Sequence, residues 1–343
     1  MVNCPNCNRN YDVNFKFCPY CGTEKPEKIC PNCRYESYDY DFCPKCGTLL
    51  IEKYSFNEII DLYEKTNEYL SLGRYEEAIQ CLDKAIEIEP TNSDSYSFKG
   101  DCLKNLGKYE AALECYDKGI GINPSDGYLW DSKATCLLNL KIYEEALECA
   151  DKAIALNVFN IEFRYTKAFI LSGLERYEAA LECLDKAIEI EPTYSNGKSF
   201  YLKGVLLEGL ERYEEALDCT DKIAEMNPAN VLNLSLKGDC LLGLERYDEA
   251  LMWFDIAKGI DFSNHYLWYK KASCLSKLER YEEAIESVDK AIEMYPSDKN
   301  YWYLKMYCLS SLKRYEESKA CFDKAKSLGI ISVNPPSNSI PKQ

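Results

Sequence analysis

One tyrosine returns eight times along this chain, at Tyr75, Tyr109, Tyr143, Tyr177, Tyr213, Tyr247, Tyr281 and Tyr315. Every step is 34 residues except that from Tyr177 to Tyr213, which is 36. A fixed period of this length marks a solenoid, in which each unit is a pair of helices that cannot bury its apolar face alone. Stacking the units buries a continuous core, so the expected fold is an all-α array of eight helix hairpins. The two extra residues fall within Thr193 to Ser199 and read as a longer loop between repeats.

Inside each unit the pattern is that of an amphipathic helix. After Arg74 the apolar residues Tyr75, Ala78, Ile79, Leu82, Ala85 and Ile86 line one helical face. Five of these helices run into a proline, at Pro90, Pro124, Pro192, Pro228 and Pro296, which cannot continue a helix. The preceding helix ends in a leucine in every copy, from Leu72 to Leu312, and Ser55-Phe56-Asn57-Glu58 reads as a capping box opening the first helix. Small residues mark two close crossings. Gly100, Ala134, Ala168, Gly204, Gly238 and Ala272 occupy one, and Ala78, Ala112, Ala146, Ala180, Ala216, Ala250, Ala284 and Ser318 the other. Bulkier side chains there would force the helices apart. All eight copies also carry a lysine, from Lys65 to Lys305, and an aspartate, from Asp83 to Asp323. The two lie about equally far from the hairpin turn, so they are expected to pair across the helices of one hairpin, with the lysine stem on apolar neighbours.

With these residues placed, the units resemble tetratricopeptide repeats over roughly residues 56 to 330. Trp130, Trp268 and Trp302 match the family's opening tryptophan, Gly100, Gly204 and Gly238 its glycine, and the alanine and proline sites follow. The leucine that precedes the glycine in the family is lysine here in every copy. The resemblance implies a right-handed solenoid that captures peptides along a concave face lined by the first helices. That face would present Tyr63, Phe98, Asp101, Tyr128, Asp131, Tyr165, Phe169, Tyr201, Tyr269, Tyr303 and Tyr307. It is aromatic and mildly acidic, with Lys104, Lys270 and Lys277 as local exceptions, and suits an extended peptide or protein segment with apolar or basic side chains. Any single ring among these can equally serve packing between neighbouring repeats. The Lys/Asn set by which chaperone-binding relatives clamp a terminal carboxylate is not met.

Ahead of the repeats stand four Cys-x-x-Cys pairs. Cys4 and Cys7 precede Cys18 and Cys21 by a spacer of ten residues, and Cys30 and Cys33 precede Cys43 and Cys46 by one of nine. Each half supplies four soft thiolates, the set that favours tetrahedral Zn²⁺ in a closed structural site, and two ions are expected. An iron centre or a redox dithiol is the competing chemistry. Each half has about 20 residues, too few for a core of its own, so metal binding would supply most of its folding free energy. Residues 1–50 resemble a double zinc ribbon, a module that is structural or adaptor-like in its family, with some relatives contacting nucleic acid or transcription machinery. The aromatics Tyr11, Phe15, Phe17, Tyr20, Tyr35, Tyr38, Tyr40 and Phe42 could stack bases, but such residues more often cover a ribbon's small core.

Charge narrows the partners. The first 50 residues balance six basic against six acidic side chains, so the whole net charge of −16 lies in the repeats and tail. Such a surface repels phosphate backbones. No apolar run reaches the roughly 18 residues of a membrane span, and the start of the chain has no signal-peptide pattern. A soluble, cytoplasmic protein is expected. The 19 cysteines include eleven scattered through the repeats, read as buried thiols in a reducing compartment. His265 is the single histidine, and no nucleophile motif or phosphate-binding glycine loop accompanies it. From Ser327 onward Pro335, Pro336 and Pro341 point to disorder, with residues 331–343 as a tail. The reading is a non-enzymatic scaffold for protein partners. The alternative is a transcription- or RNA-associated adaptor whose ribbons contact nucleic acid or polymerase.

Overall fold

A computed structural model describes residues 2–3, 10–11, 28–29, 36–37, 51–192 and 197–329. The eight metal-ligand cysteines, the insertion residues 193–196 and the proline-rich tail from 330 lie outside the described residues. The chain divides into two units, residues 1–158 and 159–343.

The first unit opens with two-residue strands. β1 (Val2–Asn3) pairs antiparallel with β2 (Asn10–Tyr11), and β3 (Lys28–Ile29) pairs antiparallel with β4 (Glu36–Ser37) and with β5 (Ile51–Glu52). Six helices follow: α1 (Lys53–Ser71), α2 (Tyr75–Ile88), α3 (Ser93–Asn105), α4 (Tyr109–Ile122), α5 (Gly127–Asn139) and α6 (Tyr143–Leu156). The second unit holds ten: α7 (Ile161–Gly173), α8 (Tyr177–Ile190), α9 (Gly197–Gly209), α10 (Tyr213–Met226), α11 (Val231–Gly243), α12 (Tyr247–Ile260), α13 (His265–Lys277), α14 (Tyr281–Met294), α15 (Lys299–Ser311) and α16 (Tyr315–Ser327). Each odd helix packs on the even helix after it, giving eight hairpins in a tetratricopeptide-like array.

Two expected boundaries move. α1 already begins at Lys53, so Ser55 lies inside its first turn and not ahead of it; Ile51–Glu52 is recruited as a strand against β3, and the chain passes from strand to helix with no linker. α9 begins at Gly197, which places Ser199 in the helix and not in the loop. The caps used are elsewhere. Asn92, Asp126, Asn160, Asn230, Asn264 and Asp298 each precede a first helix and accept a hydrogen bond from a backbone N–H of its first turn. Such a cap contributes about 1 kcal/mol.

The turn inside each hairpin needs one residue in the left-handed region. Gly73 and Gly107 supply it without strain, whereas Lys141, Glu175, Glu211, Glu245, Glu279 and Lys313 adopt φ near 60° with a full side chain. Around Glu175 the bonds from Arg176 N to Leu171 O (2.9 Å) and from Glu175 N to Ser172 O (3.0 Å) form a Schellman motif. These bonds satisfy carbonyls at the helix end and hold the residue there.

The small-residue sites have a direct explanation. Ala78, Ala112, Ala146, Ala180, Ala216, Ala250 and Ala284 are all fully buried at the crossing. A Cβ at Gly100 would sit 2.5 Å from the ring of Tyr116, and one at Gly238 would sit 2.7 Å from the ring of Phe254. Tyr116 and Phe254 are themselves completely buried, so the glycines are the vacancies into which these rings fit. The tryptophans also serve the repeat: Trp130, Trp268 and Trp302 donate from Nε1 to a loop carbonyl six residues earlier, and Lys152 and Lys258 sit over two of the rings.

The lysine–aspartate pairs form, but not where the hairpin argument put them. Lys99 bonds Asp83 at 2.5 Å, Lys203 bonds Asp185 at 2.5 Å, Lys237 bonds Asp221 at 2.5 Å, Lys271 bonds Asp255 at 2.7 Å and Lys305 bonds Asp289 at 2.6 Å; Lys133 bonds Asp117 likewise. Each lysine reaches back to the aspartate of the preceding hairpin. Equal distance from the turn does not choose between the two neighbouring second helices, and the stack brings the preceding one closer. The expected result of a double-mutant cycle on Lys237 and Asp221 is a coupling of about 0.2–1 kcal/mol, as for half-exposed pairs, whereas Lys237 with Asp255 should give none. Equal coupling in both cycles would reject the assignment between repeats.

Candidate functional site

The face formed by the first helices carries the candidate residues, and each unit contributes its own share. In the first unit Tyr63 turns inward. Its hydroxyl lies 2.5 Å from Ser95 Oγ, and it packs against Ile59 and against the buried cluster of Ala78, Leu82 and Cys102. Asp101 is committed too, accepting from Tyr116 Oη at 2.8 Å and from Lys104 Nζ at 2.7 Å. That pair neutralises Lys104 as a local cation. Phe98 and Tyr128 remain exposed, Tyr128 at 64%, and Asp131 is half-buried.

In the second unit the rings of Tyr165 and Phe169 lie 6.4 Å apart on α7, with Phe169 exposed. Tyr201 on α9 is half-buried, and burial raises its phenol pKa. The Tyr269 ring lies 4.9 Å from that of Tyr301, tilted by 31°, Tyr301 being a buried ring of the next first helix, and Tyr269 packs in the core with Trp268 and Leu304. Tyr303 packs against Leu275 and Met306, while Tyr307 is exposed and meets Tyr281 edge-on at 6.4 Å. Packing therefore accounts for Tyr63, Tyr269 and Tyr303, while Phe98, Tyr128, Phe169 and Tyr307 keep much of their ring surface exposed.

A polar cluster between α9, α11 and α13 was missing from the sequence-derived set. Lys270 Nζ bonds Asp239 Oδ1 at 2.7 Å, Tyr266 donates to Asp239 Oδ2 at 3.2 Å, and Lys270 lies 5.1 Å from the centre of the Tyr266 ring. Burial opposes the charge on Lys270, but Asp239 and Tyr266 outweigh it and hold the ammonium above its ordinary pKa. Burial raises the Asp239 pKa, partly offset by Lys270. Tyr266 is pushed up to about 12 by burial and by Asp239. Lys270 is thus no free cation. The signal was available: Gly238-Asp239-Cys240 repeats Gly100-Asp101-Cys102 in register, so the argument that selected Asp101 also selects Asp239.

Glu208 stands beside this cluster. Burial and the neighbouring Asp239 raise its carboxyl pKa, with Lys270 acting in the opposite sense. An acid whose folded pKa is raised contributes stability below its unfolded value and loses it as pH rises through the folded one. Glu208→Gln is therefore expected to raise the melting temperature at pH 7, with the gain vanishing below about pH 4, where the carboxyl is protonated in both states. A gain that persists at acid pH would show that the charge is not its origin.

Among the eleven repeat cysteines ten are buried and Cys81 is partly so. Burial pushes the thiols of Cys102, Cys136 and Cys219 up to about 11 and those of Cys240 and Cys274 up to about 12, which makes them poor nucleophiles. His265 stacks on Tyr295 at 4.9 Å, and its Nδ1 lies 2.6 Å from Tyr301 Oη, a packing arrangement at a helix start. Among the described residues no group of three His, Cys, Asp or Glu side chains is placed to hold a metal. No helix there is long and apolar enough to cross a membrane.

The strands test whether the first fifty residues fit zinc. Val2 pairs with Tyr11 and Asn3 with Asn10, and Lys28 pairs with Ser37 and Ile29 with Glu36, so one short antiparallel pairing brackets Cys4 and Cys7 in the sequence and another brackets Cys30 and Cys33. The donor set, eight cysteines in four Cys-x-x-Cys pairs, is one that fits Zn²⁺.

Helix pairs of this period, with alanine at the crossing and glycine under an aromatic ring, define a tetratricopeptide-repeat array. Tetratricopeptide-repeat models match residues 67–102, 93–126, 161–194 and 269–329, and a model of the anaphase-promoting complex, cyclosome, subunit 3 matches residues 209–291. A double zinc ribbon model matches residues 4–50. The chain is thus a tetratricopeptide-repeat protein with a double-zinc-ribbon sequence ahead of its repeats. Comparison with curated proteins gives no match. Among solved structures, a tetratricopeptide repeat protein from Parabacteroides merdae is 17% identical with a TM-score of 0.57, covering 74% of this chain and 99% of its own. Pseudomonas aeruginosa pilF is 19% identical with a TM-score of 0.55, covering 62% and 96%. The Cut9–Hcn1 hetero-tetramer of APC/C is 14% identical with a TM-score of 0.56, covering 79% of this chain and 53% of that chain. At these identities the likeness is one of fold.

Proposed function

We propose that this chain is a non-enzymatic scaffold that holds protein or extended-peptide partners on the first-helix faces of its repeats. Two structural Zn²⁺ ions, bound by Cys4, Cys7, Cys18 and Cys21 and by Cys30, Cys33, Cys43 and Cys46, would support the N-terminal module. The supporting observation is the exposed aromatic set of Phe98, Phe169 and Tyr307 on faces where Asp101, Lys104, Asp239 and Lys270 are already engaged with other side chains. Large rings held on rigid helices lose little entropy on binding, and that suits recognition better than chemistry. An overall charge of −16 favours basic or apolar segments over nucleic acid.

The test is affinity capture with the full chain and with a Phe169→Ser/Tyr307→Ser variant, each with and without nuclease. Protein partners that survive nuclease and are lost from the variant support the reading. Partners lost to nuclease and kept by the variant would turn it toward the transcription or RNA adaptor.

A further inference from the structure

The hairpin of α11 and α12 breaks the repeat rule at three places on one helix. Seven second helices carry a small thiol or hydroxyl where α12 has Trp253. Seven carry lysine where it has Ile256, and six carry Glu, Asp or Gln where it has Met252. A residue kept in every copy serves the stacking of the repeats, but these departures cannot, because the other hairpins stack without them. Met252 and Ile256 are one turn apart and remain 50% and 42% exposed, so apolar surface replaces charge at a position open to solvent.

Two of these departures, Met252 and Trp253, line a cleft of about 360 Å³ between α10 and α12, with α11 as its floor, and Ile256 lies one turn beyond Met252. Leu217, Leu241, Met252 and Trp253 line its apolar part, and none of the first-helix face residues takes part. Its charged lining is uneven. Lys237 is bonded to Asp221 and lies 4.4 Å from the centre of the Trp253 ring, and Arg246 donates two hydrogen bonds to Glu249. Both cations are thereby neutralised. Glu214 and Asp218, exposed in the opposite wall, have no ion pair among the described residues.

We infer that this cleft is a second docking surface, distinct from the first-helix faces, for a cationic peptide segment that places a large apolar side chain beside Met252 and Trp253 and a Lys or Arg against Glu214 and Asp218. The apolar anchor and the two open carboxylates together specify both halves of that chemistry. A second copy of a chain carrying −16 would bring like charge to an acidic cleft and is disfavoured.

The probe is a fluorescein-labelled 12-residue peptide alternating lysine with leucine and phenylalanine, titrated against the full chain by fluorescence anisotropy. Controls are the same peptide with glutamate for lysine and with serine for its apolar residues. Binding of the cationic amphipathic peptide is expected, with both controls at least tenfold weaker. Met252→Glu/Trp253→Cys/Ile256→Lys, which restores the pattern of the other repeats, should weaken it at least tenfold, and Glu214→Gln/Asp218→Asn at least threefold. Glu282→Gln/Glu286→Gln, the same change two hairpins on, should alter it by less than twofold. The inference is overturned if the wild type does not bind, if the glutamate peptide binds as well, or if the folded triple variant binds undiminished. Should the triple variant misfold, the exposed Glu214/Asp218 variant decides alone. Sedimentation equilibrium adds one outcome: a wild-type dimer abolished by the triple variant would make the face a self-interface and overturn the proposal.

Discussion

Stripping the metal with a strong chelator is expected to unfold residues 4–50 while leaving the helical signal of the repeats almost intact. Each half of that segment is too short to bury a core, and Zn²⁺ held by four thiolates contributes about 10–16 kcal/mol to folding in modules of this size. No other single change proposed for this chain approaches that magnitude. The strand pairings that flank Cys4–Cys7 and Cys30–Cys33 in the sequence are only two residues long, so they would add little once the metal leaves. Elemental analysis should find two zinc ions per chain, falling to one in Cys7→Ser or Cys33→Ser. Limited proteolysis should then cut the metal-free chain ahead of Lys53. Iron in place of zinc, or a protease-resistant metal-free segment, would reject the structural-zinc reading.

Gly238→Ala is expected to destabilise the second unit by about 1–3 kcal/mol, far more than the propensity gain of alanine in a helix returns. The added methyl would lie 2.7 Å from two carbons of the Phe254 ring, and that ring is completely buried with no room to retreat. Gly100→Ala should behave alike in the first unit through Tyr116, where displacement of the ring also strains the bond to Asp101. The repeats show the remedy. The hairpin with Ala168 at this site has Leu184 where the other has Phe254, and both are fully buried. Combining Gly238→Ala with Phe254→Leu should therefore recover most of the loss, and denaturant unfolding of the four chains of that cycle measures the recovery as a coupling energy. Additive effects would show that ring and methyl do not compete for the same space.

These two expectations divide along the line between local and tertiary information. The repeat period, the two faces of each hairpin, the small residues at the crossings and the grouping of the cysteines are all one-dimensional patterns, and hydrophobic periodicity carries them directly. Residue-level readings of the groove were less secure. Asp101 and Tyr63 stand at plausible groove positions, but a sequence does not say that Tyr116 and Ser95 will claim them first. Asp239 was legible by register with Asp101 and was missed; Tyr266 and Lys270 gain their meaning only from lying beside it.

What the sequence by itself determined is the repeating unit, because a helix of given periodicity must bury the same stripe wherever it stands. Which neighbour each side chain meets was decided by the tertiary structure alone. The lysine of every described pair sits as far from its hairpin turn as the aspartate does, yet it bonds the aspartate of the preceding repeat. Distance along the chain is one coordinate, while the reach of a lysine is set by the angle and offset at which consecutive hairpins pack. That offset follows from the shapes of buried rings, methyls and glycines at the crossings, and it exists only once they are in contact.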